Sequence, residues 1–219
     1  QSLDPKALPK GTTYLPDVAC FRAEHLHDEK RTMLGKQQEQ WLENALKKSR
    51  QSNIPWQIIG QQVLTGKVGF PNIPDEDIDM DRATYVTPDQ IQRFRMLSAL
   101  GMPLNLDAWD GYPAARNRLF GAFKSYANNV VTLAGDTHNA WAFNMKDDDD
   151  NAVAVEFATA GVSSPGLESY LPVKPAVTEA ALMAKSPELQ YIDGQHRGWL
   201  ELAITKEEVA ATWQFVSTV

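Results

Sequence analysis

The sequence predicts an α/β fold with a mixed sheet that continues into antiparallel strands toward its C-terminal end. Three observations carry that expectation. Amphipathic helices alternate with apolar strands between Leu34 and Ala134, and the residues after Ala140 read as strands joined by turns. Between them, the β-branched run Val130-Val131-Thr132-Leu133-Ala134 stops abruptly at Gly135-Asp136-Thr137-His138-Asn139. Helices cover both faces of an open α/β sheet, so ligands gather where its parallel strands end.

Residues 1–32 contain Pro5, Pro9, Pro16 and a charged stretch from Arg22 to Arg31, with little periodicity, and are expected to form an irregular arm. Residues 33–219 are expected to form the folded unit. Leu34, Trp41, Leu42, Ala45 and Leu46 fall at helical spacing with Gln37, Glu39, Glu43, Lys47 and Lys48 between them, which predicts an amphipathic helix to about Ser49. Trp56-Gln57-Ile58-Ile59-Gly60 reads as a buried strand with Gln61-Gln62 at its exit. Residues 65–86 hold Gly66, Gly69, Pro71, Pro74 and five acids, the pattern of a long surface excursion. Loops of that length are uncommon unless functional, so this one is expected to border the substrate site.

Thr87-Pro88-Asp89 is a helix start, with a capping hydroxyl and proline at the first helical position, and the helix should run to about Leu100. Pro113 opens another helix that should bury Leu119, Phe120 and Phe123 and end near Asn128. Strands are expected at Ala140 to Met145 and Ala152 to Phe157, then a hairpin of Trp199 to Thr205 with Val209 to Val219. In that hairpin Leu200, Leu202 and Ile204 alternate with Trp199, Glu201 and Ala203, which predicts one buried face. No internal repeat or low-complexity linker interrupts the chain. An arm in place of an opening strand leaves the sheet short of partners, and sequence preceding Gln1 is expected to supply them.

With 219 residues and 43% hydrophobic content, the chain is long enough for one domain with a sizeable core. No window approaches the roughly 20 apolar residues of a membrane span, and no signal-peptide pattern stands at the start. Cys20 is alone, which excludes an internal disulfide. A net charge of -7 with 21 Lys+Arg argues against a nucleic-acid backbone as the main partner. An acidic protein that acts on phosphate esters must concentrate positive charge locally, and metal ions do this.

Asp136 and His138, two residues apart at a strand end, suit a transition metal or a mixed-metal centre. Gly135 would let the backbone turn there. The alternative is an Asp that caps the next turn and a His held in the core. Trp109-Asp110-Gly111-Tyr112-Pro113-Ala114-Ala115-Arg116 sets a guanidinium one turn into a helix, where free amides and the dipole favour phosphate. Its alternative is packing of Trp109 and Tyr112 on the core, with Arg116 paired to Asp110. Ala160-Gly161-Val162-Ser163-Ser164-Pro165-Gly166 follows another strand end and could line a pocket, hold ligands in place, or be only a tight loop. Ser163 and Ser164 lack the GxSxG setting of a hydrolase nucleophile. His25-Leu26-His27 has ligand-like spacing without a strand to hold it. Asp147 to Asp150 lacks the glycine and spacing of a calcium loop and reads as a solvated turn. His196 lies in a polar turn and is given no role.

The order of these motifs is more specific than any one of them. Leu34-Gly35, Gln38, Trp41-Leu42, Trp56, Gly60-Gln61-Gln62, Trp109 to Pro113 with Arg116, Asn129-Val130-Val131 leading to Gly135-Asp136-Thr137-His138, Glu156-Phe157 leading to Ser163-Ser164-Pro165-Gly166, and Arg197-Gly198-Trp199 together resemble the PhoD-like alkaline phosphatases. The likeness runs from about Leu34 to Val219. It implies part of a four-layer α/β/β/α calcineurin-like metallophosphoesterase sandwich. It also implies hydrolysis of phosphate mono- and diesters outside the cytoplasm with iron and calcium. By this resemblance Asp136 and His138 are metal ligands, with Asp136 where many relatives carry His, and an acidic oxygen there suits calcium beside iron. Tyr112 and Arg116 are implied contacts to the phosphate or the departing group.

The earlier motifs of the family, with the remaining ligands, have no counterpart here, and neither His25 nor Cys20 stands in a version of them. The chain is therefore expected to be the C-terminal part of a catalytic region, metal-poor and inactive without the N-terminal part. A rival expectation is a non-catalytic phosphate-binding or structural domain derived from such an enzyme. A third, a serine hydrolase using Ser163 or Ser164, predicts labelling by a fluorophosphonate.

Overall fold

The computed structural model describes residues 17–82 and 85–217. Pro5, Pro9, Pro16 and the rest of the first sixteen residues of the expected arm lie outside that range. Within the described part of the arm, residues 18–26 are helical, which the sequence did not suggest, and residues 27–32 are irregular as expected. Asp17 caps α1 (Val18–Phe21) by accepting from the Ala19 and Cys20 amides at 2.9 and 3.1 Å, and Arg22–Leu26 continues it as a wider π turn. The anchors are tertiary and leave no periodic signal. Arg22 donates to the carbonyls of Leu100 and Gly101, and Arg31 donates to that of Gly111 at 2.8 Å.

Helix α2 (Lys36–Gln51) buries Leu42 and Leu46 as its spacing requires, while Trp41, expected in the same stripe, stays 65% exposed. It leads into β1 (Trp56–Gly60). Helix α3 (Pro88–Ala99) begins with a full capping box between Thr87 and Gln90. Helix α4 (Pro113–Tyr126) starts on proline and buries Leu119, Phe120 and Phe123. Each of those phenylalanines contributes roughly 2 to 3 kcal/mol through apolar burial. The chain continues as β2 (Asn129–Ala134), β3 (Ala140–Lys146), β4 (Ala152–Ala158), α5 (Leu167–Tyr170), α6 (Pro175–Lys185), β5 (Leu189–Asp193), β6 (Arg197–Ile204) and β7 (Val209–Val216).

Five strands form one mixed sheet in the order β1-β2-β4-β3-β5. β1, β2 and β4 are parallel, and β3 runs antiparallel to both β4 and β5. Their register brings Gly60 beside Leu133 and Ala134 beside Ala158, so the loops after β1, β2 and β4 emerge together at one end. α6 and β5 fall in a stretch where the sequence suggested only turns between strands. Pro175 at the helix start and the run of Ala, Glu, Leu and Met behind it carry the helical signal there. β6 and β7 pair as a separate antiparallel hairpin, attached by the Gly198 amide to the Gly161 carbonyl at 3.1 Å and by Trp213 Nε1 to the Ala158 carbonyl at 2.8 Å. Its apolar face is only half covered: Leu200 and Leu202 are half-buried and Ile204 is 50% exposed.

Candidate functional site

The peptide after β2 folds back on itself. Asp136 and His138 both adopt left-handed backbone, with φ of 63° and 62°, and the Thr137 amide closes the turn onto the Gly135 carbonyl at 2.7 Å. The bend expected at Gly135 is therefore made by the two residues whose side chains matter. Non-glycine residues hold such angles only where neighbours over-determine them. Here Thr137 Oγ1 accepts from Trp141 Nε1 at 2.7 Å, and the Gly135 amide donates to the Gln62 carbonyl at 3.0 Å. The Gly161 amide donates to the His138 carbonyl at 3.0 Å.

His138 Nδ1 lies 2.8 Å from the carbonyl of Pro165, in the loop after β4. A carbonyl only accepts, so Nδ1 carries the hydrogen, and Nε2 is the nitrogen whose lone pair the neutral ring offers to a metal. That loop must pass close: a Cβ on Gly161 would meet His138 Cβ at 3.2 Å, and one on Gly166 would meet Asn139 Nδ2 at 2.4 Å. Asn139 is fully buried and accepts from the Leu167 amide at 3.1 Å, which ties the two loops together. Ser163 and Ser164 thus belong to a loop that orients His138. Among the described residues no histidine hydrogen-bonds to either hydroxyl.

Asp136 is exposed and His138 half-buried, and both border a cavity of about 470 Å³. A carboxylate with a free imidazole nitrogen makes a mixed oxygen and nitrogen donor pair that fits the metals the resemblance implies, as part of a set. Among the described residues no group of three or more His, Cys, Asp or Glu is placed to hold a metal.

Tyr112 and Arg116 are not brought to this pair. Arg116 is 1% exposed, with Nε donating to the Thr65 carbonyl at 2.7 Å and a second nitrogen to Glu188 Oε2 at 2.6 Å. Its guanidinium also stacks on the Phe120 ring at 4.2 Å. Tyr112 lies under the guanidinium of Arg31 at 4.1 Å and packs against the core. Neither borders the cavity. The phosphate-contact role expected of the two thus draws no support from this arrangement, in which a guanidinium 1% exposed is held by Thr65 and Glu188 and the Tyr112 ring lies against Arg31. Arg116 pairs with Glu188 and not with Asp110, whose carboxylate accepts from the Val68 amide at 3.1 Å. Burial pushes the Asp110 carboxyl above its usual range, against the Val68 amide and the Arg116 charge.

His25 and His27 are exposed on the π turn, apart from the cavity. The acidic turn between β3 and β4 is closed by its own partners: Asp147 accepts from Asn151 and pairs with Lys124 at 2.6 Å, and Asp150 pairs with Lys146 at 2.7 Å. His196 Nδ1 bonds Asp193 at 2.7 Å.

Sequence reasoning gave no role to the buried acid that holds the site's floor. Glu156, in the middle of β4 and fully buried, accepts from the Thr65 and Gly66 amides at 2.9 Å, from Thr132 Oγ1 at 3.1 Å and from Gln61 Nε2 at 3.2 Å. Trp109 Nε1 donates to Gln61 Oε1 at 2.5 Å. Glu156 and Arg116 therefore clamp opposite sides of the loop after β1, whose next residues wall the cavity. The signal was a lone carboxylate in an otherwise apolar strand, Ala152 to Ala158.

Residues 9–213 match the family profile described as PhoD-like phosphatase. Over 194 residues the chain is 29% identical to alkaline phosphatase D of Bacillus subtilis (strain 168), a match that spans 86% of this chain and 27% of that protein. A solved structure titled "Structure of PhoD" shares the fold with a TM-score of 0.53 and 23% identity, covering 87% of this chain and 36% of the other. The chain thus spans about a quarter to a third of the relatives it matches. With the profile covering all but the ends, the chain belongs to the PhoD-like phosphatase family.

Proposed function

We propose that this chain carries the Asp136–His138 part of the metal site of a PhoD-like phosphoesterase, which hydrolyses phosphate mono- and diesters outside the cytoplasm. The observation that carries the reading is the bond from His138 Nδ1 to Pro165, which reserves Nε2 for a cation beside an exposed carboxylate. Iron and calcium are the proposed metals, and their chemistry when bound is to neutralise the phosphoryl oxygens and acidify a water. The residues of this chain hold ligand atoms in place, wall the cavity and exclude water from its apolar side.

A pair of donors is too few for a binuclear site, and the chain spans 27% of the related phosphatase. The remaining ligands are proposed to come from an N-terminal part of the same catalytic region. The sheet supports that assembly as a four-layer α/β/β/α sandwich. Helices α2 and α4 pack on one face; on the other, Val131 is buried while Ile58, Leu133, Val155 and Phe157 are half-buried, and the hairpin meets Phe157 through Trp213. Among the described residues no helix is long and apolar enough to cross a membrane.

In the complete protein, Asp136→Ala or His138→Ala should lower turnover of a phosphate ester by at least about a thousandfold, since each removes a ligand to the activating cation. Activity within a few-fold of the parent would overturn the assignment. Purified alone, this chain should hold far less than one iron per molecule and show no turnover. The absence of a third ligand among the described residues also favours a second reading, a non-catalytic phosphate-binding or structural domain. Phosphate binding without hydrolysis in the complete protein would select it.

A further inference from the structure

Away from Asp136 and His138 the cavity is largely apolar, and its polar lining is engaged elsewhere: Arg95 pairs with Asp75, Asp110 accepts from the Val68 amide, and Asn105 adds one amide. Val68, Phe70, Ile91, Phe94, Leu104 and Tyr170 are among its walls. At about 470 Å³ it lies within the range of small-molecule sites. Its roof is built from the chain's own excursion from Gly66 to Asp79. Ile78 bridges to Val173 in antiparallel fashion, the Asp79 amide donates to the Pro172 carbonyl at 2.8 Å, and Asp75 pairs with Arg95 of α3. Phe70 and Phe94 pack ring to ring at 5.6 Å under it. A collapsed core would fill this volume with side chains. The pinned roof holds it open, and it is continuous with Asp136, Thr137 and His138.

We propose that this cavity is a specificity site that binds the alcohol side of the phosphate ester, and that it selects an uncharged aromatic or compact branched-alkyl group over a polyol or a charged one. The inference rests on the phosphoesterase reading of Asp136 and His138. A phosphoryl group held at those donors leaves its ester oxygen facing the apolar walls, and burying that organic group there contributes binding energy in proportion to its apolar area. The outer surface of the roof carries Asp75, Glu76, Asp77, Asp79 and Asp81. This concentration of negative charge disfavours a second anionic group on the leaving alcohol. The volume also excludes a long extended chain from lying wholly inside.

The test uses this chain as it stands, with 2-naphthol and glycerol as probes of the cavity. Calorimetry or tryptophan fluorescence should show saturable binding of 2-naphthol and none of glycerol at the same concentrations. Ile91→Arg should weaken 2-naphthol at least about tenfold, because it places an unpaired charge against apolar walls. Phe94→Leu should weaken it less than Phe94→Ala. Equal binding of the two alcohols to the parent chain would overturn the proposal without any variant, so a variant that fails to fold leaves it decided.

In the complete enzyme, 1-naphthyl phosphate should exceed glycerol 2-phosphate in kcat/KM by about tenfold or more, and Ile91→Arg should remove that advantage. Hydrolysis of both esters at equal rates overturns the cavity's role and leaves the phosphoesterase reading intact. Binding of 2-naphthol with no hydrolysis of either ester retains the apolar site and overturns the phosphoesterase reading.

Discussion

The imidazole of His138 uses one nitrogen to orient the other. Its position depends on backbone angles that side chains rarely adopt, at both His138 and Asp136. The identity of these residues is therefore constrained by conformation, whatever their side chains bind. Asn and Asp tolerate left-handed backbone, while a β-branched residue clashes there. Asp136→Asn should leave thermal stability within measurement error, and Asp136→Val should lower it by about 1 kcal/mol or more, read from denaturant unfolding. Equal stability of the two would show that the turn is not strained. Arg116 poses a different problem, since it and Glu188 are 1% and 9% exposed and bonded at 2.6 Å. Removing one partner strands a charge in the core. Arg116→Ala should cost about 3 to 5 kcal/mol, and Arg116→Lys should not rescue it, because one ammonium cannot reach Thr65, Glu188 and Phe120 together.

At the scale of elements, the site depends on three parallel strands ending in register and on β4 reaching back through Glu156 to hold the loop after β1. Burial raises the Glu156 carboxyl above its ordinary value of 4.5, against the pull of the Gly66 and Thr65 amides. A raised acid binds more protons in the native state than in the unfolded one between the two values. Its contribution is thus fully present below the unfolded value and declines as pH rises toward the folded one. Unfolding free energy should fall more steeply with rising pH above 4.5 in the parent than in Glu156→Gln, with denaturant titrations at several pH values as the measurement. Parallel curves would remove Glu156 from the account. Helices α2, α3 and α4, and the strands on either side of the site, were legible in the sequence because spacing and caps are local signals. Arg116 shows the limit of such local signals. A guanidinium one turn into a helix looks alike whether it faces a ligand or the core, and only Glu188 and Thr65, distant in sequence, decide between them. The short helix at residues 18–26 left no signal in the sequence because the arm's anchors lie on Leu100 and Gly111.

For the whole molecule, the two faces of the sheet carry unequal cover. Register places Ile58, Val131 and Val155 side by side, with Leu133 beside Phe157, and the hairpin reaches this face through Trp213, whose ring meets Phe157 edge-on. A parallel sheet is stable when both faces are covered, and apolar strands such as β4 suit that setting. If an N-terminal layer packs here in the complete protein, a charge on this face has different consequences in the two contexts. In this chain alone, Val155→Lys can direct its ammonium to water while its stem covers the neighbours, so the loss should stay below about 1 kcal/mol. Under a second layer the same ammonium is desolvated without a partner, and the loss should rise by several kcal/mol, with phosphatase activity falling alongside. Parallel unfolding titrations of Val155→Lys in both proteins measure the difference. An equal, small loss in each would mean that no layer covers this face, and the four-layer assembly would have to be abandoned even if Asp136 and His138 proved to bind metal.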